Sequence, residues 1–228
     1  MNELVHSGNE ADTPAPRKAT TRTNDPARTM AGILEVATQE FAAKGLSGAR
    51  IDAIAEATHT SKRMIYYYYG SKEGLYVAVL EESYRRMRAI EAELHLDDLE
   101  PVAALRRLVE FTFDRHADNE DFIRLVMNEN IEQGSYLAQS KSIQQLNVPA
   151  IDAIRRIYER GVVQGVFREG LDPVDIHASI SALTFFNVSN RHTFGLIFKD
   201  KARSAQSAAR RASITDMVVR FVCKQERE

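Results

Sequence analysis

From Asp25 onward the large apolar residues recur mainly at helical spacing; the β-branched residues are scattered and no alternating run is long, so a sheet is not expected as the organising layer. Met30, Ile33, Leu34, Ala37 and Phe41 fall at i, i+3, i+4, i+7 and i+11 and form one stripe. Asp25 suits the N-cap and Pro26 the first helical position; Lys44 closes the last turn and Gly45 suits the left-handed residue beyond it. A second short helix turns Ile51, Ile54 and Ala55 inward. Thr60-Ser61 offers caps for a third over Lys62–Tyr68, and Gly70-Ser71 ends that helix and caps a fourth over 72–94. Further helices are predicted over 100–117, 119–133, 142–165, 173–199 and 204–224. Asn119 caps one of them, and Pro149 lies in the first turn of another or kinks it. The chain therefore reads as all-α. Residues 1–24 form a polar, Thr- and Ala-rich disordered tail, 25–71 a three-helix helix-turn-helix module, and 72–228 a larger helical body.

Within the module, charge and phenols are concentrated. The 228-residue chain carries a net charge of −2, yet residues 17–72 hold nine Lys/Arg against five Asp/Glu. A basic module on a mildly acidic body fits a nucleic-acid partner. Four of the eight tyrosines form the run Tyr66-Tyr67-Tyr68-Tyr69. At helical spacing Ile65 and Tyr69 share a face that anchors the helix, while Lys62, Arg63, Tyr66 and Tyr67 lie on the others. Two cations and two hydroxyls facing outward supply contacts to base edges and phosphates. The expected DNA contacts are Arg50, Lys62, Arg63, Met64, Tyr66, Tyr67, Tyr68 and Lys72. Arg63 is the candidate for a guanine edge, and Met64 either meets a thymine methyl or packs. Tyr66, Tyr67 and Lys72 fix register, and Tyr68 stays open between core and groove. Arg17, Lys18, Arg22 and Arg28 add positive charge nearby.

Residues 28–80 resemble the DNA-binding domain of the TetR family of transcriptional regulators. Ala37, Phe41, Gly45, Ile54, Ala55, Ser61-Lys62, Ile65-Tyr66-Tyr67 and Ser71-Lys72-Glu73-Gly74-Leu75 carry the likeness. The phrase from Gly161 to Pro173 adds to it. Three positions depart from the family pattern. His59 stands where glycine is usual, Ala49-Arg50 where Thr or Ser opens the second helix, and Tyr68-Tyr69 where His or Phe follows the tyrosine pair. Ser47 or Gly48 is then the expected cap of the second helix. The resemblance implies a homodimer paired near its C-terminus, a palindromic DNA operator and a ligand cavity in the body. It further implies a repressor released by a small-molecule effector. The alternatives are an activator, a ligand-independent DNA-binding dimer, or a nucleoid or cell-division interaction protein.

The segment from Phe185 to Phe194 places amide, hydroxyl, guanidinium and imidazole groups in the middle of an apolar helix. One stripe carries Asn187, Asn190 and Phe194 and reads as a cavity wall; the other carries Ala178, Ser181, Ala182, Phe185, Ser189 and His192 and reads as a dimer seam. Whether the polar groups face a cavity or pair across the seam stays open. Arg191 is the expected partner of an anionic effector. His116, Arg124 and Asn128 are further candidates for the cavity. The Asn-Arg-His run resembles regulators of aromatic or N-heterocyclic acid breakdown, which implies a planar carboxylate. The single Cys223, the absence of an apolar run of membrane length and the polar N-terminus point to a cytoplasmic protein. The histidines show neither i, i+4 pairing nor a cysteine partner, so no metal or cofactor is expected, and no catalytic constellation argues for an enzyme.

Overall fold

Asp25 receives the N–H groups of Ala27 and Arg28 on its carboxylate, at 3.0 and 3.3 Å, and Pro26 begins the first helix behind it. This is the start of a computed structural model that describes residues 25–199 and 208–225. Ten α-helices follow in order: α1 Pro26–Gly48, α2 Ile51–Ala57, α3 Lys62–Tyr69, α4 Lys72–Ala92, α5 Pro101–Asp118, α6 Glu120–Ile131, α7 Lys141–Val163, α8 Pro173–Ser189, α9 Arg191–Phe198 and α10 Ala208–Val222. Single 3-10 turns lie at Leu96–Asp98 and Leu137–Gln139. Among the described residues there is no strand, only an isolated bridge between Phe167 and Cys223. The all-α reading holds. The tail over 1–24, with Arg17, Lys18 and Arg22, and the first residues of the helix expected over 204–224 lie outside the described residues.

Three features differ from the periodicity reading. The helix expected over 173–199 is two helices, because Asn190 leaves helical geometry (φ −104°, ψ 3°) and ends α8. Ser and Asn side chains compete with the helix for backbone partners, and here the Asn190 amide donates to Ser189 Oγ at 2.8 Å. The expected helix over 72–94 stops at Ala92, with His95 left-handed (φ 49°) and a 3-10 turn behind it. Pro149 lies well inside α7, past its first turn.

Two cores stabilise the chain. The first joins Ile33, Ala37 and Phe41 of α1 to Ile54, Ile65, Leu75, Tyr76 and Leu80, and it also takes in Leu125 of α6 and Ile143 of α7. The second packs α5, α7, α8 and α10 through Leu105, Leu108, Ile154, Ile176, Ile180, Ile214 and Val218. Phe167 is fully buried in it and lies flat against Gly161; a Cβ built on Gly161 falls 2.0 Å from the Phe167 ring. The bridge beside it carries two hydrogen bonds, Arg168 N–H to Val222 O and Lys224 N–H to Val166 O, each 3.0 Å, which tie the end of α10 to the α7–α8 connection. A smaller cluster of Met87, Phe122, Ile123 and Val188 joins α4, α6 and α8. α4 thus runs from the first core to this smaller cluster, a length of about 32 Å at 1.5 Å per residue. No helix of the described residues is long and apolar enough to cross a membrane.

Candidate functional site

The short helix α3 is locked on one side and open on the other. Ser61 accepts the Met64 N–H at 3.2 Å and starts it; Gly70 ends it. Ile65 is fully buried, and the Tyr69 hydroxyl donates to the Met30 carbonyl of α1 at 3.0 Å. Burial pushes the Tyr69 phenol up to about 12, so it remains a neutral donor at any ordinary pH. Lys62, Arg63, Tyr66 and Tyr67 stand in solvent, Tyr67 at 77 % exposure. Lys62 pairs with Asp52 of α2, and Lys72 Nζ donates to the Ser47 carbonyl at 3.3 Å. Both cations are thereby held beside the α2–α3 face. Met64 and Tyr68 are half-buried, Tyr68 edge-on to both Tyr67 and Tyr69.

The departures noted in the sequence are accommodated locally. His59 takes the left-handed conformation at φ 51° in the α2–α3 turn. The cap expected from Ser47 or Gly48 does not form, since both belong to the end of α1 beyond the kink at Gly45 (φ 67°). Arg50 occupies the N-cap position of α2 without a side-chain cap. Its N–H instead reaches Glu40 Oε1 at 3.0 Å. The hydrogen bond from Lys44, with that from the Arg50 backbone, holds the Glu40 carboxyl below the usual range despite some burial. The Arg50 side chain is left exposed at the start of α2.

A cavity of about 430 Å³ opens in the body between α4, α5, α6, α7 and α8. Tyr84, Phe122 and Phe185 give it aromatic walls; Arg88, His116 and His177 carry its titratable nitrogen groups. Thr184 Oγ1 lies 2.8 Å from the Ile180 carbonyl and 3.0 Å from His116 Nδ1; with the hydroxyl proton directed at the carbonyl, Nδ1 is the donor and Nε2 of the neutral ring is the acceptor. Burial, reinforced by Arg88 and His177, pulls the His116 imidazole down to about 4. His177 moves the same way by burial and Arg88.

Of the residues expected to hold an effector, His116 alone lines this cavity. Arg124 and Asn128 line a separate cleft of about 430 Å³ between α6 and the Gly45 end of α1, together with Ser189 and His192 from the expected dimer seam. Asn128 there donates to the Phe41 carbonyl at 3.3 Å. Arg191 pairs with Glu120, and Arg124 binds the same carboxylate at 2.9 Å. Burial opposes the shift, but the two arginines hold Glu120 below the usual carboxylate range. Arg191 is therefore spent on a contact between α9 and α6. Asn187 is buried, donating to Leu183 O at 2.6 Å and accepting from Arg210 Nε at 3.0 Å, and Asn190 caps α8. Phe194 lies outside, edge-on to Phe186. Ser181 and Phe185 line the central cavity, so of the expected seam only Ala178 and Ala182 remain on the open face of α8. Arg88 and His177 were not anticipated. Arg88 sits in the charged run Arg85-Arg86-Met87-Arg88, which resembles a solvated face until α7 covers it.

Comparison with known proteins agrees with this geometry. Residues 33–79 match the bacterial regulatory proteins of the tetR family, and residues 101–219 match the tetracyclin repressor-like C-terminal domain. The chain is 35% identical over 205 residues to the HTH-type transcriptional repressor NicS of Pseudomonas putida, covering 90% of this chain and 97% of that protein. It is 36% identical over 140 residues to the repressor SCO4008 of Streptomyces coelicolor, covering 61% of this chain and 69% of that protein. Among solved structures, the putative regulator SCO4942 of Streptomyces coelicolor superposes with a TM-score of 0.63 at 27% identity, over 85% of this chain and 98% of that one. A ketosteroid regulator of Mycobacterium tuberculosis, at 18% identity and a TM-score of 0.63 over 90% of this chain and 98% of that one, shares the fold.

Proposed function

The chain belongs to the TetR family of bacterial regulatory proteins, and from that premise we propose that it is a homodimeric transcriptional repressor, released from a palindromic operator when a small molecule fills the cavity between α4 and α8. The observation that carries the reading is the two-sided character of α3. Ile65 and Tyr69 are locked to the module, while Arg63, Tyr66 and Tyr67 are free to enter a groove. A guanidinium reads a guanine edge through two parallel hydrogen bonds; phenols and ammonium groups fix register on phosphates. Arg50, Lys62 and Lys72 border the same face. The relative in Pseudomonas putida is named as a repressor, which supports the direction of control.

Pairing follows from α8 and α10. Val174, Ala178, Ala182 and Phe186 recur every fourth residue along α8 and are exposed, as are Met217 and Phe221 of α10. A strip of this kind is covered by its own symmetry mate in a two-fold dimer. Two α3 helices must then sit about 34–36 Å apart to meet successive major grooves. α4 links each reading head to the cavity, so a ligand that shifts α4 changes that separation at a coupling of about 1–3 kcal/mol. The chain then acts where the chromosome is, in the cytoplasm.

Selection of bound fragments from genomic DNA, followed by gel-shift titration at one fixed salt concentration, tests the proposal. It should return a two-fold symmetric site with half-sites one helical turn apart, and a small molecule that binds the body should weaken that complex about 5- to 150-fold. Selection that enriches no symmetric site would refute the repressor reading. A site that no body-binding molecule weakens would leave a ligand-independent DNA-binding dimer instead.

A further inference from the structure

Arg88 stands in the wall between two cavities. On one side lies the central cavity; on the other is a cavity of about 610 Å³ between α4 and α7, whose lining includes Glu91, Gln145, Pro149 and Arg156. The guanidinium is paired with Glu91, three residues further along α4, and both side chains are largely buried. Arg88 Nε is buried and has no hydrogen-bond partner. No carboxylate lines the central cavity, where the groups facing Arg88 from α5 and α8 are His116 and His177. A buried cation thus borders the central cavity while its counter-charge lines the cavity behind it. A buried guanidinium gains most from a planar bidentate acceptor, and it has an N–H to spare.

The walls restrict what such an acceptor can be attached to. Tyr84 is edge-on to Phe122 with ring centroids 5.2 Å apart, and Phe185 is edge-on to His116 at 6.0 Å. Flat rings arranged in this way favour a flat apolar body. The acceptor at His116 Nε2 suits a hydroxyl or ring N–H on the same molecule. Resting on the repressor reading above, we propose that the effector is a small aromatic or heteroaromatic carboxylate bearing a hydrogen-bond donor, and that its carboxylate takes Arg88 from Glu91. The exchange turns Arg88 from the cavity that Glu91 lines towards the central cavity. It breaks a pair within α4, the helix that packs on α7 and also carries Leu75 and Tyr76 into the core of the reading head.

Calorimetric titration of the full-length protein with 3- and 4-hydroxybenzoate and with the matching amides tests this. At least one acid should bind, and its amide should bind about thirtyfold more weakly, as expected for loss of a buried charge-assisted pair. Arg88→Gln should lose a similar factor for the acid, with folding followed by circular dichroism. Glu91→Gln should bind the acid about tenfold more tightly, because the competing internal carboxylate is gone. Arg191→Leu, outside the cavity, should bind the acid as the unaltered protein does. Acids and amides that bind equally, acids that do not bind at all, an Arg88→Gln variant with undiminished affinity, or a Glu91→Gln variant with no gain would each overturn the proposal. Operator binding without ligand, measured on the same samples, separates the two levels. Its absence removes the repressor reading itself; its presence beside failed acid titrations removes only the carboxylate exchange.

Discussion

His116 is carried neutral in the body, and the cost of that choice has a pH signature. Its imidazole is pulled down to about 4 by burial with help from Arg88 and His177, from an ordinary value of 6.5. In the unfolded chain the ring takes its proton first as pH falls, so the unfolded state binds more protons between pH 6.5 and 4 and is favoured there. Stability is full above pH 6.5 and should fall by about 3 kcal/mol towards pH 4 from this residue alone. Urea unfolding at pH 7.5 and 4.5 should show that loss, and His116→Gln should remove most of it; equal slopes for the two proteins would mean that other groups dominate. Gly161 is the second residue whose chemistry is forced by a neighbour. A methyl at Gly161 would occupy the Phe167 ring position, so Gly161→Ala should cost about 1–3 kcal/mol through overpacking, read as a lowered urea midpoint at constant slope. The Gly-x-x-x-Gly-x-Phe phrase was visible in the sequence, but the contact that explains it was not. Arg191 shows the same limit. Its partner Glu120 lies 71 residues away, and no helical period reports a contact at that separation.

At the scale of single helices, α3 was the most legible element. Its capping serine, its buried Ile65 and its anchored Tyr69 all follow from spacing within eight residues. The α8–α9 region was read less well, because the stripe model assumed one straight helix. The break at Asn190 ends the stripe, and the inward turn of Ser181 and Phe185 shows that a face with small residues can still border a cavity. The two-sided build of α3 predicts two kinds of defect. Arg63→Ala should cost about 1–3 kcal/mol at one or two operator positions and relax preference there. Tyr67→Phe should weaken binding evenly across sequences, because a phosphate contact carries no base information. Randomised-site selection with both variants checks the pair, and an unchanged base preference for Arg63→Ala would assign the reading of bases to another residue.

For the whole molecule, the fold class and the head-and-body organisation were readable because helical periodicity is local and the head's motif is contiguous. The position of the cavity was not, since five helices from distant parts of the chain enclose it. α6 ties these scales together: Phe122 and Val126 line the cavity on one side, while Asn128 reaches the Phe41 carbonyl of the reading head on another. Such a link transmits a shift to DNA only if two heads are held in fixed relation, and that requirement places the most weight on the open face of α8. Ala182 lies at its centre, between Ala178 and Phe186, where small side chains let two helices approach closely. Ala182→Glu puts a charge into that contact without touching the buried side of α8, where Ile180 joins the second core and Thr184 meets His116. The chain should stay folded and become monomeric in sedimentation or light scattering. Affinity for a full operator should then drop towards that for a half-site, because the second head no longer benefits from the high effective concentration that pairing provides. Half-site affinity itself should stay unchanged, since α3 is remote from the substitution. A variant that still sediments as a dimer and holds the full operator as tightly as before would place the interface on another exposed apolar surface, such as that of α9 with Leu196 and Ile197.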